Sequence, residues 1–182
     1  KVEPGDPRLN LVERAFTVGE RNRLWAGGIT CMPAREGRLY LAAVTGAFSR
    51  KVVGWPMSER ITGKVAIDAI EQAVGREGPP DDGSLVFHDD QGARHASRSF
   101  RRCLDSHGIV QSASRPGTPL DNAAAESFFK TLKRESAEGR SYGTRDEAKQ
   151  DIFKYIELYC NRVRMHSALD CMSPVEYERQ YA

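Results

Sequence analysis

The sequence predicts an α/β domain, a mixed five-stranded sheet flanked by helices. Three observations carry this. Three short β-prone runs come first, separated only by turns, which reads as an antiparallel meander; helical and strand-like periods then alternate; and an acidic cluster, His88-Asp89-Asp90-Gln91-Gly92, stands where a short apolar run ends. The 182 residues are 40% hydrophobic and 29% charged, enough for one core. One domain over residues 24–182 is therefore expected, behind an arm or linker at residues 1–23.

Residues 1–23 are polar, carry Pro4 and Pro7 and begin without methionine, the pattern of an extended arm within a longer protein. Residues 24–32, 39–44 and 51–55 supply the first three strands. Thr62 is placed to cap a helix striped by Val65, Ile67, Ile70 and Val74, which stops near Gly75 or Gly78. Ser84-Leu85-Val86-Phe87 follows a turn-rich stretch and forms the fourth strand, which leaves Asp90 at or just past its carboxyl end. Ser97 caps a helix packing Phe100, Cys103 and Leu104 and stopping at Gly108; residues 109–112 make the fifth strand.

Residues 114–122 contain two prolines and a glycine and read as a loop beside the acidic cluster, with Asn122 either capping the next helix or reaching DNA. At 100° per residue, Ala125, Phe128, Phe129 and Leu132 share one face of that helix, and Glu126, Lys130 and Lys133 share another. Gly139 is expected to close it. Thr144 and Glu147 form a capping box for a helix with Ala148, Ile152, Tyr155, Ile156 and Tyr159 on one side. Ser173, Pro174 and Glu176 begin a last short helix.

The chemistry lies in one spacing. Residues 91–125, 35 in all, separate Asp90 from Glu126, and Lys133 follows the glutamate by seven. Phosphoryl transfer on nucleic acid uses two hard cations about 3.5–4 Å apart, held by carboxylates that converge from separate elements. Asp90 and Glu126 can supply two of those carboxylates, and Lys130 and Lys133 can meet phosphates.

Other readings are excluded or weaker. A formal net charge of +2 does not mark a nucleic-acid binder by bulk charge, so any basic surface is local, with Arg162, Arg164 and His166 as one candidate stretch. Four cysteines show neither a close-paired zinc spacing nor a secreted disulfide pattern. No apolar run approaches the ~20 residues needed to span a bilayer. His88 and His95 flank Asp90 but lack a convergent Cys/His set, so His88 is read as orienting the acidic turn and His95 as a neutral loop residue. Asp89 should point away from Asp90. Trp25 and Trp55 are read as packing residues.

The ordered set Trp25-Ala26-Gly27-Gly28-Ile29-Thr30, residues 39–44, Phe48-Ser49-Arg50 through Trp55, the Asp90 and Glu126 stretches, Asn161-Arg162, His166-Ser167-Ala168-Leu169 and Ser173-Pro174 resembles bacterial insertion-sequence transposases with a retroviral-integrase-like catalytic core, over residues 10–177. The resemblance implies a ribonuclease-H-like fold. It also implies metal-dependent DNA cleavage and strand transfer through a two-ion magnesium or manganese site, transposon ends and target DNA as partners, a homo-oligomer, and a bacterial, cytoplasmic, nucleoid-associated setting. Asp90 and Glu126 take catalytic and metal-ligand roles; Asn122, Lys130, Lys133, Arg162 and Arg164 take DNA-binding ones. The family's upstream helix-turn-helix region is not among these 182 residues.

Two positions depart from that pattern. Where the first catalytic carboxylate belongs, this chain has Gly28, and where an aspartate usually precedes Phe-Ser-Arg it has Gly46. Glycine binds no metal. The expectation is a transposase core by ancestry whose own catalysis is impaired, or a non-catalytic DNA-binding or oligomerising relic of one.

Overall fold

The computed structural model describes residues 9–90, 92, 95–115, 118–137 and 141–182. Most of the arm's first residues, and Gly139 with its expected helix stop, lie outside them.

Strands β1 (Leu24–Ala34), β2 (Gly37–Gly46) and β3 (Val52–Gly54) form the expected meander, β1 with β2 and β2 with β3 antiparallel. After helix α1 (Gly63–Glu77), strand β5 (Val86–Asp89) pairs parallel to β1, and β6 (Val110–Ala113) parallel to β5. The order across the sheet is β3-β2-β1-β5-β6. A short sixth strand adds to the expected five: β4 (Met57–Ser58), two residues just after Pro56, pairs with Leu41 and Tyr40 of β2. Between β5 and β6 runs α2 (Arg98–Ser106), capped as expected by Ser97, whose Oγ accepts from the Phe100 N–H.

Both faces of the sheet are covered, so β2 is nearly continuously apolar rather than alternating. On one face Trp25, Ala42, Val44 and Phe87 pack with α1 and α2. Gly54 lies so close to the Ala69 carbonyl of α1 that a Cβ there has no room, which is why β3 ends in glycine. On the other face Leu39, Leu41, Ala43 and Trp55 pack with Leu132, Ile152 and Ile156. These come from α3 (Ala123–Leu132), α4 (Arg145–Phe153) and the π-helical turn Lys154–Cys160 that extends α4.

That turn corrects one packing expectation. Widening from 3.6 toward about 4.4 residues per turn shifts the phase, so Tyr155, Ile156 and Cys160 are buried whereas Tyr159 is exposed. The capping boxes at Thr144 and Ser173 are formed, the second opening α5 (Pro174–Tyr181). Asn161 seals the sheet edge: its Oδ1 accepts from the Val52 N–H at 2.9 Å and its Nδ2 donates to the Val52 carbonyl at 3.0 Å. No helix among the described residues is long and apolar enough to cross a membrane.

Candidate active site

Asp90 follows the last residue of β5, and its side chain is half-exposed. Two contacts set its neighbourhood. His95, lodged against Phe87 and Phe100, turns Nδ1 to 3.6 Å from Asp90 Oδ1, and the Gly92 N–H donates to the same oxygen at 2.9 Å. His95 first, then the Gly92 N–H, hold the Asp90 carboxyl below its ordinary range against the opposing cost of desolvation, so it is ionised at neutral pH. His95 lies in the turn after β5, as expected of a loop residue, but is buried beside the acid. Asp89 is fully buried, with Oδ2 accepting from Gln111 Nε2 at 2.7 Å, but it does not point away from Asp90 as expected: ligand atoms of Asp89, Asp90 and His95, one from each, lie within 4.8 Å of one another.

His88 fixes the geometry between the two acidic stretches. Its Nε2 donates to the Asp121 carbonyl at 2.8 Å, leaving Nδ1 to face Ser112 Oγ, also at 2.8 Å. β5 is thereby tied to β6 and to the 3-10 turn Pro119–Asn122 that feeds α3. Asn122 completes the attachment. It is buried, and its Nδ2 donates to the Gly27 carbonyl of β1 at 3.0 Å. One of its expected roles needs correction: it makes no side-chain cap for α3, and its Nδ2 is held by the strand beneath.

Glu126 lies in the first turn of α3 and is exposed, as are Lys130 and Lys133. Gly28, Asp90, Asn122, Glu126, Lys130 and Lys133 line one cleft of about 450 Å³. The two acids, the vacant first position and both lysines are thus brought together from β1, the end of β5 and α3. Lys133 stands where α3 widens into the π-helical turn Lys133–Ala137.

Arg162 and Arg164 are not among the residues lining that cleft. Arg162 borders a separate depression with Lys51, Glu77 and Glu157. Arg164 makes a forked pair with Glu135, at 3.1 Å from both Nε and Nη2, beside a different pocket of about 390 Å³. Its guanidinium is already neutralised by a partner 29 residues earlier, which sequence reasoning had no local signal to find.

Sequence reasoning also missed Asp121. Its carboxylate is fully buried and accepts from Asn10 Nδ2, Arg14 Nε and Arg115 Nε at 3.1, 2.8 and 2.8 Å. Arg115 first, then Arg14, hold it far below the ordinary carboxylate range. The expected arm is therefore docked in its described part, with the Ala113 N–H also donating to the Leu9 carbonyl and Phe16 set edge-on to His88.

A mixed sheet in this strand order, sandwiched by helices, with one acid at the end of a central strand and another on a crossing helix, is the ribonuclease-H-like class of core. Solved structures agree on the fold. The chain is similar to a simian T-cell lymphotropic virus intasome bound to PP2A regulatory subunit B56 gamma (TM-score 0.68, 16% identity, 97% of this chain and 60% of that one). It is also similar to the HTLV-2 integrase catalytic core domain in complex with magnesium, in its dimeric form (TM-score 0.60, 19% identity, 86% of this chain and 96% of that one).

Two family models described as integrase core domain match residues 19–119 and 126–181, and the chain belongs to that family. Among curated relatives, it is 46% identical to the transposase for insertion sequence element IS904 of Lactococcus lactis over 94% of its own length and 67% of the relative's. It is 39% identical to transposase InsF for IS3fB of Escherichia coli over 94% of its own length and 59% of the relative's.

Proposed function

We propose that this chain is the core of a bacterial insertion-sequence transposase, working on DNA in the cytoplasm at the nucleoid as part of a homo-oligomer, with its strand-cutting chemistry impaired at Gly28. The observation that carries the reading is the single cleft shared by Gly28, Asp90, Glu126, Lys130 and Lys133. In it an ionised carboxylate, a second acid and two lysines face solvent, a surface suited to a DNA phosphate backbone approached together with a hard cation.

The donor set does not fit a pair of magnesium or manganese ions. Asp90 and Glu126 offer two carboxylates from separate elements, enough for one hard cation completed by water and phosphate. A pair needs a further carboxylate where Gly28 stands; Asp89 has an oxygen within 4.8 Å of one of Asp90's, but it is fully buried and bonded to Gln111. What its own residues do is bind and orient. Lys130 and Lys133 meet phosphates on the exposed side of α3, while His88, His95 and Asn122 fix the positions of Asp90 and Glu126.

The test is magnesium- or manganese-dependent cleavage and strand transfer on a mixed set of DNA substrates, comparing the chain with Gly28→Asp and Asp90→Ala. Activity only in Gly28→Asp supports an impaired transposase core. Activity in the unsubstituted chain that Asp90→Ala abolishes would overturn the impairment and require another carboxylate at the site.

A further inference from the structure

Away from the cleft, three side chains of metal-ligand type meet between α1 and α2. Cys103 lies in the last turn of α2 (Arg98–Ser106) and His107 is the residue that caps that helix, so both stand at its carboxyl end, and Glu71 reaches them from α1. Cys103 Sγ lies 3.4 Å from Glu71 Oε1, and His107 Nε2 lies 3.2 Å from each Glu71 oxygen. One donor atom from each of the three lies within 4.8 Å of the other two. On a tetrahedral zinc ion, with bonds of ~2.3 Å to sulfur and ~2.0–2.1 Å to nitrogen and oxygen, neighbouring donors stand roughly 3.3–3.7 Å apart. The separations to Glu71 already fall close to that range.

We propose that Glu71, Cys103 and His107 hold a thiophilic divalent cation of the zinc class, with water as fourth ligand, clipping α1 to α2. Sulfur and imidazole donors select such an ion over magnesium. Cys103 is buried, the His107 side chain is a quarter exposed and that of Glu71 half exposed, so the cation has an open side for entry and for the water. Without metal, burial and the neighbouring carboxylate push the Cys103 thiol up to about 12, and the thiol donates to Glu71. The cation takes the place of that proton, which passes to solvent, and the carboxylate that opposed a bare thiolate then favours the bound ion.

The site is tested by titrating the full, metal-free chain with cobalt(II) near neutral pH. One cobalt per chain should give a thiolate charge-transfer band in the near ultraviolet, which zinc displaces. Cys103→Ser should abolish the band, and Glu71→Gln and His107→Gln should each weaken binding by about 10-fold or more. Zinc should raise the Tm of the parent and leave that of Cys103→Ser unchanged. Glu71 is exposed, so Glu71→Gln keeps the test valid if replacing the buried thiol disturbs folding, which circular dichroism checks. No band, or a band that survives Cys103→Ser, overturns the site. The readout needs no DNA and is independent of the cleft: Asp90→Asn and Glu126→Gln should leave it intact whatever the outcome of the cleavage assay.

Discussion

A Cβ added at Gly28 would come to 3.0 Å from Cε2 of Phe129, with the Ala125 methyl 3.9 Å away. The position that would carry the first carboxylate borders the cleft but is crowded on one side by the Phe129 ring of the helix that bears Glu126. By contrast, a Cβ at Gly46 would meet nothing nearer than 3.9 Å. The two departures from the family pattern differ physically: an acid at 46 has room, whereas an acid at 28 requires Phe129 to move.

Gly28→Asp should accordingly cost about 1–3 kcal/mol of folding stability, the usual range for adding atoms to a packed site. Phe129 is only partly buried and packs at the edge of the second core cluster, so the steric share can be relieved. In a Phe129→Leu background the cost of Gly28→Asp should fall by more than half. Urea denaturation of the four proteins gives the coupling. An equal cost in both backgrounds would show that the ring is not the obstacle.

The cations divide by what they already hold. Lys130 and Lys133 line the cleft and are exposed, whereas Arg164 is forked onto Glu135. Each phosphate contact contributes about −0.9 to the slope of log K against log salt. Lys130→Ala and Lys133→Ala should each flatten that slope by about 0.9 for duplex DNA, while Arg164→Ala should leave it unchanged. A slope that responds to Arg164 and not to the lysines would move the DNA path off the cleft.

Much of this was legible in the sequence because it is local. The meander follows from β-prone runs a few residues apart, Ser97, Thr144 and Ser173 act as caps, and the split of α3 into an apolar face and a Glu126/Lys130/Lys133 face needs only the helical period. What was not legible depends on distant partners or on a broken period. β4 is too short to carry a pattern. The π-helical turn at residues 154–160 exchanges Tyr159 for Cys160, which constant 100° steps cannot foresee. Asn122 looked free until Gly27, 95 residues away, accepted its amide. Cys103 and His107 stand at a spacing that can be read from the chain, yet Glu71 joins them only through the packing of α1 on α2.

The arm offers a pH test with a fixed sign. Asp121 is held far below the ordinary carboxylate range by Arg115 and Arg14, so its folded-state value lies under the unfolded one, near 3.9. The stabilisation is then fully present above the unfolded value and is lost as pH falls through the lower, folded one. Asn10 and Arg14 bind this carboxylate directly, and the Leu11 N–H donates to Ser112 Oγ beside it, so protonating Asp121 removes the anchor of residues 9–16. Hydrogen exchange should show the Leu11 and Ala113 amides protected at pH 5 and opened as the pH is taken well below 3.9, before the amides of β1 and β2 exchange. Asp121→Asn should open the same amides already at neutral pH, and because Asp121 precedes Asn122 it should also loosen the first turn of α3, where Glu126 lies. Continued protection of residues 9–16 in Asp121→Asn would mean that the apolar contacts of Val12 and Phe16 hold the arm without the charge.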